Sequence, residues 1–196
     1  MAKYKRRRRY SGPDITGHVD LNPGDQFQTT LSEINDSGDT ASQIRGAPVE
    51  VSGGLPGEKV IVEVLKRFPE RIVAKVVEVL EQAEERVEPE CEYFLTCSGC
   101  QWQHASYDYQ LQLKQARVQR EIDKYQSLSH VVVDATIGSE TQLGYRNHGR
   151  FTVGKKDDAG NIGYVNAVTR HFVKIDRCLL MNEPINKILD LAQGNV

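Results

Sequence analysis

Residues 53–64 read GGLPGEKVIVEV. A glycine- and proline-rich turn, Gly53-Gly54-Leu55-Pro56-Gly57, runs directly into Glu58-Lys59-Val60-Ile61-Val62-Glu63-Val64, a segment dominated by β-branched residues. Glycine and proline punctuate the chain, and β-branched side chains favour the pleated backbone of a strand. Outward from this point the same grammar recurs. Downstream, Arg71-Ile72-Val73-Ala74-Lys75-Val76-Val77-Glu78-Val79 predicts a second long strand. Upstream lie Val49-Glu50-Val51, the turn Asp36-Ser37-Gly38-Asp39, and FQTTLSEI, which alternates imperfectly. Short strands separated by turns every ~8–12 residues predict a small barrel or sandwich over residues 21–82. A five-stranded oligonucleotide-binding barrel is the economical way to cover the edges of so short a sheet.

Before this region stands MAKYKRRRRY. Lys3, Lys5 and Arg6, Arg7, Arg8 and Arg9 put six positive charges on residues 1–20, a polar segment with Ser11, Gly12 and Pro13 that predicts a disordered arm. The chain as a whole is −2, so the rest is −8, with 19 basic against 27 acidic residues. A basic arm on an acidic body suits phosphate neutralisation on a nucleic acid, the alternative being a solvated tail. The basic start is not followed by an apolar stretch, so it does not read as a secretory signal. No apolar run reaches the ~18 residues of a membrane span. The expected compartment is therefore the cytoplasm, where thiols stay reduced and clustered cysteines bind metal more often than they pair.

The cysteines are clustered. Residues 91–103 read CEYFLTCSGCQWQ, which places three of the four cysteines at C-x5-C-x2-C; the fourth, Cys178, lies in KIDRCLL. Cys97 and Cys100 offer two thiolates from one curl of chain at Gly99, and Cys91 returns from the other side. Structural zinc and a [4Fe-4S] cluster both want four protein ligands, which makes Cys178 the candidate fourth. Zinc sites favour two C-x2-C pairs; the three-plus-one layout here suits a cubane better, with zinc left as the alternative. A helix is expected from Asp108 to Lys124, capped by Ser106, with Leu111, Gln115, Val118 and Ile122 along one mostly apolar face. Strands are expected at 131–134, 145–154, 161–166 and 171–175, and a helix at 182–192. The predicted fold class is mixed β and α+β: a small barrel, then a cysteine loop leading into a helix, then a mixed α/β region over residues 88–196.

Two resemblances emerge from these residues. Leu31-Ser32-Glu33-Ile34, Val49-Glu50-Val51 and Gly54-Leu55-Pro56-Gly57-Glu58-Lys59-Val60 resemble a TRAM domain, a small RNA-binding barrel found on RNA-modifying enzymes; residues 39–45, DTASQIR, depart from its pattern. Cys91-x5-Cys97-Ser98-Gly99-Cys100-Gln101-Trp102-Gln103-His104 resembles the C-x5-C-G-G-C-Q-x-Q-H segment of the RNA uracil-C5 methyltransferases of the 23S ribosomal RNA type, with Ser98 in place of glycine. Tyr109 and Lys114 match that family too. Gly144-Tyr145-Arg146-Asn147-His148-Gly149-Arg150-Phe151 is similar to its G-Y-R-x-x-x-R strand, and Gly163-Tyr164 through Val173 and Cys178-Leu179-Leu180 to the segment leading to its fourth ligand. The resemblance implies that Cys91, Cys97, Cys100 and Cys178 hold a [4Fe-4S] cluster and that the protein engages RNA, ribosomal RNA first, with Arg146 and Arg150 as contacts beside the arm. No membrane association and no obligate protein partner are implied.

In that family a cysteine thiolate adds to C6 of uracil, S-adenosylmethionine supplies the methyl group, and a glutamate removes the C5 proton, all in a C-terminal Rossmann-like domain. The present sequence has no G-x-G-x-x-G turn and no cysteine to spare. The expectation is therefore the N-terminal portion of such an enzyme, with the catalytic domain and S-adenosylmethionine site outside the chain. The alternative is a stand-alone, non-catalytic RNA-binding iron–sulfur protein. Trp102 is either a base-stacking platform or packing, and His104 is expected to serve the loop-to-helix junction through hydrogen bonds.

Overall fold

In the computed structural model, residues 10–156 and 159–195 are described. The basic residues Lys5 and Arg6–Arg9 lie outside them. The chain is mixed α/β and divides into two units, Met1–Ala83 and Glu84–Val196.

The first unit is a five-stranded sheet of β1 (Gln26–Thr30), β2 (Thr40–Ile44), β3 (Ala47–Ser52), β4 (Lys59–Phe68) and β5 (Arg71–Glu81), in the order β1-β4-β5-β3-β2. All pairings are antiparallel except β3 with β5. The alternation seen in sequence is the alternation of burial: Val49 and Val51 of β3, Val60, Val62 and Val64 of β4, and Ile72 and Ala74 of β5 point into one core. Fully burying each such side chain contributes roughly 1.5–3 kcal/mol relative to leaving it in water. β2 and β3 are joined by Arg45 and Gly46 alone, with φ of 49° and 82°. Both central residues of a type I′ hairpin turn require positive φ, which explains the glycine and leaves Arg45 in the strained left-handed region.

The opening LPGE stretch is the clasp of this unit. Gly57 has φ of 86°, which a β-carbon would oppose. Glu58 is fully buried, and its two carboxylate oxygens accept from Leu55 N (2.8 Å) and from Ala83 N beyond the end of β5 (3.2 Å). Its backbone carbonyl accepts from Leu31 N at 2.9 Å. One buried acid thus fastens the turn to both the segment after β1 and the segment after β5.

The structure corrects several expectations. The closed barrel is not formed: β1 and β2 are the two edges of the ladder. The bonds that link them are Ser32 N and Ser32 Oγ to Ala41 O (2.8 and 2.9 Å), Ala41 N to Glu33 O (2.8 Å), Ser42 Oγ to Thr30 O (3.3 Å), and the paired hydroxyls of Thr29 and Ser42. The backbone bonds between the edges fall at Ser32 and Glu33, past the end of β1, so β1 itself has no ladder with β2. Part of the stretch read as an arm joins the core: Thr16 and Val19 are buried, and Thr16 Oγ1 donates to Phe68 O at 2.7 Å.

The second unit carries α1 (Tyr107–Asp123), a 3-10 turn (Gln126–Leu128), a three-stranded antiparallel sheet of β6 (Thr152–Lys156), β7 (Ala159–Val165) and β8 (Phe172–Lys174), and α2 (Glu183–Ala192). Ser106 and Asn182 cap the two helices, accepting from Tyr109 N and Ile185 N. The strand expected at 131–134 is not a strand. Its backbone is satisfied by glutamines of α1: Gln115 Nε2 donates to Val133 O, Gln119 Nε2 to Val131 O, and Val133 N to Gln119 Oε1, at 2.8–3.0 Å. The face of α1 read as mostly apolar carries Gln115, one of the two glutamines that bind this segment, and no residue of α1 is buried. Nor do Arg146 and Arg150 stand on a regular strand. β6 begins only at Thr152, and Arg146 makes an isolated bridge to Met181.

Candidate functional site

The cysteine loop is a series of tight turns. Phe94 N donates to Cys91 O (3.0 Å) and Cys97 N to Tyr93 O (2.7 Å), with Leu95 at φ of 63°. Three ties fix this loop to the turn between β7 and β8 and to the stretch after β8. Asn166 Nδ2 donates to Thr96 O (2.8 Å), Ala167 N donates to Ser98 Oγ (2.7 Å), and the Tyr93 hydroxyl donates to Asp176 Oδ2 (3.3 Å) while accepting from Asp176 N (3.2 Å). Ser98, the residue that departs from the resembled motif, therefore has a task of its own: its hydroxyl anchors the loop. Cys178 is set two residues beyond Asp176, and Asn186 of α2 grips it from behind, accepting from Cys178 N (3.0 Å) and donating to Cys178 O (3.1 Å).

These ties bring Cys178 to the loop. All four thiols are free and half-buried. Burial pushes the Cys91, Cys97 and Cys100 thiols above their ordinary range, and each is raised further by the charge of Cys178 and by that of its loop neighbours. Every one of the six thiol pairs feels its partner in this way. At Cys100 a hydrogen bond from Gln103 Nε2, 3.2 Å from the sulfur, opposes the rise. Among the described residues no group of three His, Cys, Asp or Glu side chains is drawn together in a form that could hold a metal ion. The four sulfurs are thus electrostatic neighbours without forming the coordination sphere of one ion. As a donor set, four thiols from two anchored segments fit a thiolate-bound centre, whose ligation would release thiol protons.

Next to the loop lies a cavity of about 830 Å³, with Cys100, Trp102, Gln103, Lys114, Tyr145 and Arg146 in its wall. Tyr145 exposes 57% of its surface. The Arg146 guanidinium sits 5.8 Å from the centre of the Tyr145 ring. Burial pulls the Arg146 pKa down, but a hydrogen bond with Tyr145 and the charges of Tyr145, Cys100 and Cys178 outweigh it and hold the group above its ordinary value. Of the two arginines singled out in sequence, Arg146 lines the cavity; Arg150 is exposed and is not part of its wall. His104 is buried, its ring tilted against Phe94 at 5.3 Å, and its carbonyl accepts from Val87 N. Sequence reasoning did not foresee the cavity. Its wall is gathered from residues 87–90, 99–114, 139–146 and Leu180; the motifs around Cys100–Gln103 and Tyr145 and the match at Lys114 were readable, but not that they meet in one space.

No family model matches the chain. Over 170 residues, 87% of its length, it is 31% identical to an uncharacterized RNA methyltransferase of Caldanaerobacter subterraneus subsp. tengcongensis, of which the match spans 37%. It is 32% identical over 174 residues to an uncharacterized RNA methyltransferase of Oceanobacillus iheyensis, covering 88% of this chain and 38% of that protein. The crystal structure of Pyrococcus abyssi tRNA (uracil-54, C5)-methyltransferase in complex with S-adenosyl-L-homocysteine is similar in fold, with a TM-score of 0.58 at 23% identity over 83% of this chain and 35% of that one. The chain thus spans little more than a third of the length of the curated relatives it matches.

Proposed function

We propose that the chain is the RNA-engaging, [4Fe-4S]-holding portion of an S-adenosylmethionine-dependent RNA (uracil-C5) methyltransferase that acts on 23S ribosomal RNA in the cytoplasm. The observation that carries this reading is the meeting of Cys178 with the Cys91–Cys100 loop, every thiol within electrostatic reach of the other three, in a chain whose relatives are named RNA methyltransferases. Cys91, Cys97, Cys100 and Cys178 would hold the cluster, which when bound supplies a covalent staple between the loop and the segment after β8. A cubane takes one thiolate per iron, so its ligands stand further apart than four around a single ion. The first unit is the TRAM-like RNA-binding module of this reading, and Lys5 and Arg6–Arg9 add a phosphate-binding arm. The residues of the chain position RNA; methyl transfer from S-adenosylmethionine belongs to the remaining length that the relatives possess.

Anaerobic purification and metal analysis test the centre. The expected result is a brown chain with about four irons, lost in Cys178→Ser. Stoichiometric zinc without iron overturns the cluster. RNA engagement is tested by salt titration of binding. Deleting residues 1–10 is expected to weaken binding on all sequences alike and to flatten the salt dependence by about 0.7–0.9 for each phosphate no longer neutralised. An unchanged slope would remove the arm from the reading.

A further inference from the structure

We infer that the cavity beside the cysteine loop receives one unpaired nucleotide of RNA, its base lying on the Tyr145 ring and its phosphate facing Arg146 and Lys114. The inference deepens the RNA-binding reading above and rests on it.

Tyr145 is the first reason. A large aromatic ring that leaves more than half its surface in water at the wall of a cavity is unusual packing but a good stacking platform, because every base has a face to offer it. The backbone beneath it is pinned: Gly144 N donates to Leu179 O, Arg146 N to Leu180 O, and Asn182 N to Arg146 O, at 2.8–2.9 Å. The ring is therefore exposed on a fixed support. Tyr107, also in the wall, is held by Ser139 N, which donates to its hydroxyl at 2.7 Å. Trp102 adds a third aromatic ring to the same enclosure.

The polar groups give the second reason. Arg146 and Lys114 line the cavity, and neither is in a salt bridge among the described residues. They offer cations to a phosphate. Glu88 and Glu90, also in the wall, offer acceptors to the amino and imino groups of a base edge. Gln103 Oε1 is buried with no hydrogen-bond partner, while the same side chain donates through Nε2 to Cys100. A buried acceptor left unmet is costly, and a base N–H would meet it. Cations, acceptors and aromatic faces in one space of about 830 Å³, within the size range of small-molecule sites, match a nucleotide better than an apolar ligand. A paired base has its edge occupied and its faces stacked, so the nucleotide must be unpaired.

The test uses the intact, anaerobically loaded chain and fluorescence anisotropy with labelled five-nucleotide single strands of RNA and a blunt RNA duplex. Tyr145→Ala is expected to weaken single-strand binding about ten-fold with the salt slope unchanged, and Tyr145→Phe to restore it. Arg146→Ala is expected to reduce the single-strand salt slope by about 0.7. Duplex binding through the arm stays the same in all three variants. If the single strand binds, responds to arm deletion and ignores Tyr145→Ala, the cavity proposal is overturned while the RNA-binding reading stands. Equal losses on duplex and single strand would also overturn it, and no binding to either RNA would overturn both readings. Because Tyr145 is exposed, its truncation leaves the fold intact, which a thermal melt of each variant verifies.

Discussion

Val49, Val51, Val60, Val62 and Ile72 of the first unit are almost wholly withdrawn from water around a single apolar core. The second unit has a different interior. Among the described residues its buried apolar side chains are few (Ala105, Ile175, Met181 and Leu189), and between them stand the buried amides Asn166 and Asn186 and the half-buried Gln193. Asn166 ties Thr96 O to Val168 N and Thr169 N; Asn186 ties Cys178 to Met181; Gln193 accepts from Ile162 N and donates to Ile162 O and Ile175 O. The first unit draws its stability from area removed from water, which is non-directional. The second draws it from satisfied hydrogen bonds, each of which nets only about 0.5–1.5 kcal/mol. A unit built that way specifies geometry well and stabilises it weakly. It is the kind of interior that a bound centre at its cysteines would complete.

The largest effect should come from removing that centre. Chelation of the loaded chain, or Cys97→Ser, is expected to abolish the cooperative melt of the second unit and leave that of the first in place. Two-transition calorimetry checks this, and a single transition unaffected by chelation would break the contrast between the units. The next effect belongs to the first unit. Glu58→Ala leaves the buried N–H groups of Leu55 and Ala83 without acceptors and should cost about 2–4 kcal/mol, read as a lower midpoint of the first unit in urea.

Asn186→Ala should cost the second unit about 2–3 kcal/mol, since Cys178 N and Met181 O lose the Asn186 amide and Cys178 O keeps only Met181 N. Its expected signature is a drop in iron retention alongside the drop in stability. The smallest effect is a pH dependence. Burial, with the nearby Cys178 and Cys97 charges, pushes the Tyr164 hydroxyl up from 10.0 to about 12. The folded form holds this proton more tightly than the unfolded one. Its contribution is therefore complete below pH 10 and is lost as pH rises toward about 12. Tyr164→Phe should flatten the stability of the metal-free chain across that window, and an identical pH profile would show that the hydroxyl is not shielded.

The strands of the first unit were legible because their inward positions are valines. β2 escaped because its inward positions are Thr40 and Ser42, whose hydroxyls bond to Val51 O and Thr30 O. A strand that faces a core with hydroxyls has no apolar alternation to detect. The opposite error arose at Val131-Val132-Val133, where β-branched residues imply a strand but glutamine side chains of α1 take the place of a strand partner. Helical periodicity alone does not reveal that Gln115 and Gln119 are the working face of α1. At the site, the spacing of Cys91, Cys97 and Cys100 is local and readable. The return of Cys178 depends on Asn166, Ser98 and Tyr93 reaching across about 70 to 80 residues, and such ties leave no periodic trace in a sequence.

The strand order of the first unit also dictates how quickly it can form. β2–β3 and β4–β5 are each neighbours in the chain and can zip as hairpins on the scale of about 1–10 μs. The parallel β3–β5 register and the β1–β4 register join segments far apart in sequence, so the entropy of closing long loops must be met before either pairing stabilises the unit. Assembly of the two hairpins, with Glu58 locking the junction late, is then the slow step. Rate measurements on core variants should show Val62→Ala in the β4–β5 hairpin slowing folding, and Glu58→Gln mainly hastening unfolding.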